Sequence, residues 1–175
     1  EATAAVEAAI RHNGPVYLRF GRLAVPVFND PETYRFELGK GIQLQEGGDV
    51  TIIANGLMVP EAIEAGKRLA AENIRARVIN MHTIKPIDKE IIIRAAKETG
   101  AIVTAEEHNI IGGLGSAVAE VLCEECPVPL LRVGIQDKFG KSGKPAVLLE
   151  EYGLTASNIA AQAKAVMKKR SEEHT

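Results

Sequence analysis

The sequence has no tryptophan and only 4% aromatic residues, and neither sign of charge dominates. Its formal net charge of -2 gives no electrostatic footprint for nucleic acid or an anionic membrane, so we expect neither partner. The longest apolar runs, such as residues 50–54, fall far short of the roughly 20 residues that a membrane-spanning helix needs. No basic and apolar leader is visible, and the sequence begins at Glu1 without methionine. We therefore expect a folded, cytoplasmic protein.

Cysteine is also scarce, since Cys123 and Cys126 are the only two. Their C-x-x-C spacing is compatible with redox chemistry, but such a pair needs the positive end of a helix to favour the thiolate. Here the pair follows a predicted helix and is mixed with Glu124 and Glu125, so a structural role is favoured. No second C-x-x-C and no nearby histidine pair completes a zinc site. The sequence predicts no metal site in this chain.

Short β-branched segments alternate with amphipathic segments from Val50 onward, which is typical of parallel strands joined by crossover helices. The predicted strands cover residues 50–54, 76–81, 101–106 and 130–134, with 40–45 as an extra edge strand. The predicted helices cover 59–70, the segment from Asp88 to Gly100, the segment from the Gly112 turn to Leu122, residues 145–152 and the segment from Thr155 onward. This order predicts a three-layer α/β/α domain with a mostly parallel sheet of about five strands.

The segment that precedes the predicted edge strand does not fit this alternation. Residues 1–12 predict an alanine-rich helix and residues 15–20 a strand, but no second helix follows before the loop at 22–32. The segment is typical of the last helix and the last strand of another domain, which would lie before the predicted sheet in the sequence.

Polar residues lie at the predicted carboxyl ends of the strands, where ligands bind in open parallel sheets. The candidate positions are 55–56, 82–83, 106–108 and 134–137. Strand-to-helix turns need the same residue types for caps, so both a small-molecule site and ordinary turns stay open. His108 is a candidate general base beside Glu106 and Glu107, but no serine or cysteine nucleophile occupies a strand-to-helix elbow. A hydrogen-bonded loop histidine is the favoured interpretation.

The glycine-rich turn at residues 112–115 is a weak phosphate-binding candidate. It lacks the G-x-G-x-x-G spacing, and the sequence has no G-x-x-x-x-G-K-[ST] motif. Close packing of a helix start against the sheet is the favoured reason for these glycines.

Arg19 and Arg22 stand at the end of the predicted strand 15–20, with few acidic neighbours before Asp30. The planar guanidinium matches the geometry of phosphate oxygens, so a phosphorylated substrate is one interpretation. An inter-domain salt bridge is the other, and the two stay open at this point.

Taken together, several longer motifs resemble the transketolase family, and in particular its split bacterial form with separate N- and C-terminal sections. The motifs are GPVYLRFGR at 14–22, MHTIKPID at 81–88, EEHNIIGGLGSAVAE at 106–120, DKFGKSG at 137–143 and YGLT at 152–155. The likeness extends over nearly the whole chain, to about Lys168. Deoxyxylulose phosphate synthases and the β subunits of 2-oxo-acid dehydrogenases share the architecture, but the E-E-H-x-I-I-G-G-L-G and D-x-F-G-x-S-G stretches look most like transketolase.

The resemblance implies four segments: the end of a pyrimidine-binding domain at 1–25, a linker at 26–39, the transketolase C-terminal domain at 40–170 and a tail at 171–175. It implies that the complete enzyme transfers a two-carbon ketol unit between sugar phosphates, in the pentose phosphate pathway, with thiamine diphosphate and Mg²⁺. The implied partners are an N-terminal section and a second copy bound through the C-terminal domain. The cofactor-handling groups would lie outside this chain, which implies no catalytic residue, no cofactor bound by it alone and no activity in isolation.

The resemblance also implies roles for individual residues. Arg22 matches a position that contacts the substrate phosphate, where the family often has Ser-Arg-Gln, and Arg19 is the second candidate. The C-terminal domain mainly supports the dimer, so His82, Glu107 and His108 are candidates for a strand-end or interface site. Two alternatives stay open: a non-catalytic ligand-binding or interaction module, and a fragment of a deoxyxylulose phosphate synthase or a 2-oxo-acid dehydrogenase β subunit.

Overall fold

The computed structural model describes residues 1–30 and 32–172. The strands are β1 (Ile42–Gln45), β2 (Val50–Ala54), β3 (Ala76–Asn80), β4 (Ile102–Asn109) and β5 (Leu130–Ile135). The helices are α1 (Ala2–Arg11), α2 (Met58–Ala71), α3 (Lys89–Thr99), α4 (Leu114–Glu125), α5 (Pro145–Glu151) and α6 (Ala156–Glu172). None of the described helices is both long enough and apolar enough to cross a membrane.

The strands form one sheet in the order β1-β3-β2-β4-β5. Strands β2 to β5 are parallel, and β1 pairs antiparallel with β3 at one edge. Every residue of β2 and β3 is buried, because helices cover both faces of the sheet. The predicted three-layer α/β/α class is confirmed, including the extra edge strand.

Helices α2 and α6 cover one face of the sheet, and α3 and α4 cover the other. The first face is filled by α2 residues such as Leu69 and by Ile159 and Val166 of α6. The second is filled by α3 residues such as Ile92 and by Val118 of α4. The chain changes face between β3 and β4, so the topological switch point lies between β2 and β4, at the carboxyl edge.

Helix α6 is tied to the rest of the domain at both ends. At its start, the amide of Ala156 donates to the Glu61 carboxylate of α2 at 2.7 Å. Near its end, Arg170 donates to the carbonyl oxygens of Asp49 and Thr99 at 2.9 and 2.6 Å. The helix therefore connects α2 with the amino edge of the sheet.

Helix α3 begins and ends at the residues that the sequence predicts. The carboxylate of Asp88 accepts a hydrogen bond from the amide of Ile91 at 3.2 Å, which caps the helix. Its second oxygen accepts from the amide of Gly41 at 2.9 Å and so fixes the chain that enters β1. Gly100 ends the helix at φ 64°, a left-handed conformation that glycine adopts without strain.

The predicted strand at 15–20 is wrong, because this segment has no strand conformation. A strand needs a neighbouring strand for its backbone hydrogen bonds, and no strand of the five-stranded sheet pairs with this segment. Apolar side chains are exposed along this segment and its flanks, at Val6, Ile10, Val16, Tyr17, Phe20, Leu23, Val25 and Val27. Helix α1 occupies its predicted place, but Ala5 is its single buried residue. The segment from Glu1 to Val27 thus carries an uncovered apolar surface.

Two boundaries also differ from the sequence-based expectation. Strand β4 continues to Asn109 instead of ending at 106, because Asn109 pairs with Ile135 of β5 beyond an irregularity in the register. The predicted tail at 171–175 begins inside α6, whose helical hydrogen bonding continues to Glu172. Residues 173–175 of that predicted tail lie outside the described residues.

Candidate functional site

The carboxyl ends of the strands form the edge where the sequence places its candidate site. The chain after α1 reaches this edge, because Nη2 of Arg19 donates to the main-chain oxygen of Glu107 at 3.3 Å. The structure therefore brings these two predicted site residues together, although they are 88 positions apart. The contact uses the backbone of Glu107, and its carboxylate has no hydrogen bond or ion pair within the described residues.

Arg22 is not joined to the other candidates. Its side chain is exposed and makes no hydrogen bond or ion pair with any part of the chain that the structure describes. The five guanidinium donors therefore face solvent, which is the arrangement that an oxyanion from solution can reach.

His82 lies two residues beyond the end of β3 and contacts Phe36, in the segment between α1 and β1. Its ring stacks on Phe36 with centroids 4.2 Å apart and planes inclined by 29°, and Nδ1 is 2.9 Å from Oγ1 of Thr83. Burial lowers the pKa of His82, although the negative charge of Glu1 acts to raise it. Its Nε2 is buried without a hydrogen-bond partner among the described residues. The ring is therefore held as a packed, uncharged imidazole near neutral pH.

A polar cluster beside His82 is not visible in the sequence. The Glu1 carboxylate accepts hydrogen bonds from the Asn80 amide and, at 3.2 Å, from the Tyr34 hydroxyl. Burial is the main reason, and the Glu1 charge a further one, why the pKa of Tyr34 is raised above its ordinary value. Glu1 precedes α1, Tyr34 lies between α1 and β1, and Asn80 ends β3, so no local sequence signal joins them.

Glu106 is the most constrained charged residue of the edge, with a relative exposure of 1%. Its two carboxylate oxygens accept hydrogen bonds from the amides of Leu114 at 2.7 Å and Gly115 at 2.8 Å. A side chain at Gly113 would displace the cap, since a Cβ there would lie 1.9 Å from the Glu106 carboxylate. The Glu106 carboxylate therefore caps the start of α4 and acts as an internal cap, in the place where an external anion could otherwise bind.

This internal cap decides between the two interpretations of the glycine-rich turn. The glycines allow the helix start to pack against β4 and β5, because a Cβ at Gly115 would also lie 2.7 Å from Arg132 and 2.8 Å from Thr104. The amides that would hold a phosphate are already bound to Glu106. Close packing is confirmed as the reason for Gly113 and Gly115, whereas Gly112 has open space around a Cβ and adopts φ +76°, which favours glycine. The amides of Leu114 and Gly115 are not free to hold a phosphate.

His108 does not form a histidine–carboxylate pair. Its exposed ring has Nδ1 2.8 Å from the carbonyl oxygen of Asn109, and both Glu106 oxygens are engaged by helix amides. Asn109 in turn donates to Asp137 at 2.9 Å and accepts from the amide of Ile111 at 2.8 Å. His108 thus belongs to a polar network that joins the loops after β4 and β5.

Across residues 1–30 and 32–172, no three histidine, cysteine, aspartate or glutamate side chains are grouped to hold a metal ion. Cys123 and Cys126 are free thiols at the end of α4, where no basic residue stands in the last turn. Two open grooves, of about 360 and 300 Å³, lie along α3 and between residues 28–35 and β1. Both are away from the Arg19–Glu107 contact.

Comparisons with known proteins agree with this architecture. A profile of the family described as "Transketolase, C-terminal domain" matches residues 39–159. The "6-deoxy-6-sulfo-D-fructose transketolase subunit SqwH" of Clostridium sp. (strain MSTE9) is 50% identical over 169 residues, which is 96% of this chain and 52% of that protein. A 1-deoxy-D-xylulose-5-phosphate synthase of Heliobacterium modesticaldum is 47% identical over 154 residues, which is 87% of this chain and 24% of that enzyme.

A solved structure titled "Split gene transketolase, inactive beta4 tetramer" superposes with a TM-score of 0.91 at 53% identity. The superposition covers 94% of this chain and 54% of that one. The chain thus spans about half the length of that structure and of the Clostridium subunit. Because the profile matches most of the chain and the relatives match nearly all of it, the chain belongs to the transketolase C-terminal domain family.

Proposed function

We propose that this chain is the C-terminal portion of a thiamine-diphosphate-dependent transketolase, which transfers a two-carbon ketol unit between sugar phosphates together with a separate N-terminal section. The likeness to the split transketolase structure, which covers 94% of this chain at 53% identity, carries the proposal. The Clostridium relative is itself a transketolase subunit, which supports a two-chain enzyme. Dimerisation through the C-terminal domain, a cytoplasmic location and the pentose phosphate pathway are further parts of this proposal and rest on the family resemblance.

The same proposal divides the chain into the end of a pyrimidine-binding domain at 1–25, a linker at 26–39, the C-terminal domain at 40–170 and a tail from 171. The exposed apolar side chains between Glu1 and Val27 support this division, because a surface of this kind is normally covered. The profile match beginning at residue 39 is consistent with the proposed end of the linker.

Arg22 is the residue that we assign to the substrate phosphate. Its exposed guanidinium has no partner within the described residues and can form two parallel hydrogen bonds with phosphate oxygens. Arg19 is the second candidate, although one of its nitrogens already donates to the Glu107 carbonyl. In this assignment Arg22 binds and orients the phosphorylated end of the sugar, away from the bond that reacts.

The described residues of this chain alone do not fit thiamine diphosphate and its Mg²⁺. They present no group of metal ligands, and the amides at the start of α4, the candidate cradle for a diphosphate, are bound to Glu106. We therefore assign cofactor binding to the rest of the enzyme, where the cofactor would supply the carbanion chemistry. His82, Glu107 and His108 are assigned to packing or a subunit interface.

Calorimetry and a transfer assay test this proposal. The chain alone should bind no thiamine diphosphate, and micromolar binding would show that the domain assignment is wrong. The chain extended by a pyrimidine-binding domain and mixed with an N-terminal section should transfer ketol units, whereas a non-catalytic interaction module would stay inactive. In that complex Arg22→Ala should raise KM for a phosphorylated donor by about 10-fold or more, as expected for a lost charged hydrogen bond. The exposed Arg94→Ala on α3 is the matched control.

A second candidate is a deoxyxylulose phosphate synthase, because a synthase from Heliobacterium is 47% identical to this chain. The extended complex distinguishes the two activities when it is supplied with pyruvate as donor and a three-carbon aldehyde phosphate as acceptor. Release of CO₂ and formation of deoxyxylulose phosphate would favour the synthase, and their absence alongside ketol transfer would favour transketolase.

A further inference from the structure

The segment at residues 13–27, which follows α1, touches the rest of the chain at very few points. Leu18 is partly buried, and the other residues of the segment are all exposed. Phe28, directly after the segment, packs against the hydrophobic core between the sheet and α2 and α6. Among the described residues, the segment makes one hydrogen bond and no ion pair: Nη2 of Arg19 donates to the main-chain oxygen of Glu107 at 3.3 Å. Arg19 is therefore the one polar attachment of this segment to the described sheet.

The Glu107 carbonyl can accept this bond because β4 is irregular near its carboxyl end. The pairing of β4 with β2 ends at Ala105, and its pairing with β5 passes directly from Ala105 to Asn109. Residues 106–108 thus have no register partner in either neighbouring strand of the described sheet. A bulge of this kind leaves main-chain groups outside the ladder and turns them toward other elements. A charged donor such as Arg19 bonds to a carbonyl of this kind more strongly than a neutral donor does.

This attachment limits where Arg22 can lie. Arg22 is three residues from Arg19, so their Cα atoms are at most about 11 Å apart, whereas Phe28 is six residues from Arg22 and allows about 22 Å. Without the Arg19 bond, the Arg22 guanidinium would range over a larger volume, and ordering it on a bound phosphate would cost more conformational entropy. The bond therefore keeps Arg22 near the carboxyl edge, where ligands bind in open parallel sheets.

We infer that Arg19 is a positioning residue for Arg22: it holds the segment at the Glu107 carbonyl, so that the Arg22 guanidinium is presented to the substrate phosphate at the carboxyl edge of the sheet. The inference rests on the proposed function for the phosphate contact of Arg22, and it gives Arg19 a role different from that of a second phosphate ligand. Because the acceptor belongs to the main chain, the side chain at position 107 can change without loss of the attachment. The guanidinium at position 19 cannot.

A double-mutant cycle in the extended complex with an N-terminal section tests this role. Arg19→Ala should raise KM for a phosphorylated donor by about threefold or more and leave kcat within about twofold, because the phosphate is bound equally before and during the reaction. Arg19→Ala combined with Arg22→Ala should raise KM no further than the roughly 10-fold of Arg22→Ala alone, since a positioning residue acts only through the residue that it positions. With a small unphosphorylated ketol donor, Arg19→Ala should keep KM within about twofold of wild type. Arg94→Ala is again the matched control and should stay within about twofold for both donors.

Nuclear magnetic resonance of the full chain tests the attachment without any assay of activity. Arg19→Ala should lower the backbone heteronuclear nuclear Overhauser effect at Phe20 and Arg22, because the segment then moves more on the nanosecond timescale. Glu107→Ala, which keeps the main-chain acceptor, is the matched control and should leave that effect unchanged.

Several outcomes would overturn the inference and leave the proposed function intact. Effects of Arg19→Ala and Arg22→Ala that multiply, to about 30-fold in the double variant, would show that Arg19 is a second phosphate ligand. Equal losses with phosphorylated and unphosphorylated donors would show a purely structural role. Unchanged KM or unchanged mobility in Arg19→Ala would show that the attachment does not matter. If the wild-type complex transfers no ketol units, the proposed function falls and the inference falls with it.

Discussion

The internal cap of α4 makes Glu106→Ala the most informative single substitution in this chain. The change removes a carboxylate that is 1% exposed and leaves the amides of Leu114 and Gly115 buried without acceptors. It also leaves a cavity and removes a negative charge from the positive end of the helix. Glu106→Gln keeps the shape but places an amide donor against one of the helix amides, so it should have an intermediate effect.

The magnitude follows from the two hydrogen bonds. Each bond to a charged acceptor contributes roughly 1.5–3 kcal/mol, and part of this is offset by the cost of burying the charge. We therefore expect Glu106→Ala to lower the free energy of unfolding by about 3–5 kcal/mol, and Glu106→Gln by about 2–3 kcal/mol. At about 2–4 °C per kcal/mol for a chain of this size, the alanine variant should lose about 6–20 °C in Tm.

Urea denaturation followed by circular dichroism measures this difference directly. Glu107→Ala is the matched control, because the neighbouring carboxylate has no partner within the described residues. Its effect on the free energy of unfolding should stay within about 0.5 kcal/mol, as for an ordinary surface substitution. A loss below about 1 kcal/mol for Glu106→Ala, or equal losses for the two alanine variants, would refute the capping argument.

Three further predictions concern other positions. Gly113→Ala should destabilise by about 2–3 kcal/mol because its Cβ would overlap the capping carboxylate, whereas Gly140→Ala, with nothing within 4 Å, should be nearly neutral in the same denaturation assay. The hydroxyls of Thr51 and Thr99 are 2.9 Å apart and buried, so each single change to valine should cost about 1–3 kcal/mol, and a double-mutant cycle should show the double change costing less than the sum. Burial lowers the pKa of His82, so the unfolded state binds the proton more readily than the folded state. The free energy of unfolding should therefore fall as the pH drops below about 6.5. His82→Phe should flatten this pH dependence, and an unchanged pH dependence in that variant would contradict the prediction.

The sequence was informative where structure depends on neighbouring residues. Short β-branched runs and helical spacing predicted β2, β3 and the helices that follow them, and Asp88 and Gly100 marked both ends of α3. These signals act within a few residues, so one sequence suffices to interpret them. The order of the alternation then limits the topology to a mostly parallel sheet.

The sequence was less informative where structure depends on distant partners. The residue types at 15–20 predicted a strand, but a strand forms only where its backbone can pair with a neighbouring strand. The segment has no pairing partner in the described sheet. β4 continues through the polar Glu107 and His108 because Asn109 pairs with Ile135, which no local pattern indicates. The Arg19–Glu107 contact joins residues 88 positions apart, so the sequence could nominate both residues but could not place them together.

Helix α6 has a practical consequence for anyone who wishes to express this fold by itself. The family profile stops at residue 159, yet Ala163 and Val166 are completely buried and Arg170 holds the turns before β2 and β4. A polypeptide trimmed to the profile would leave the apolar side of α2 open to water and prone to aggregation. The smallest unit that can be purified in folded form should therefore extend to about residue 172, where α6 ends within the described residues.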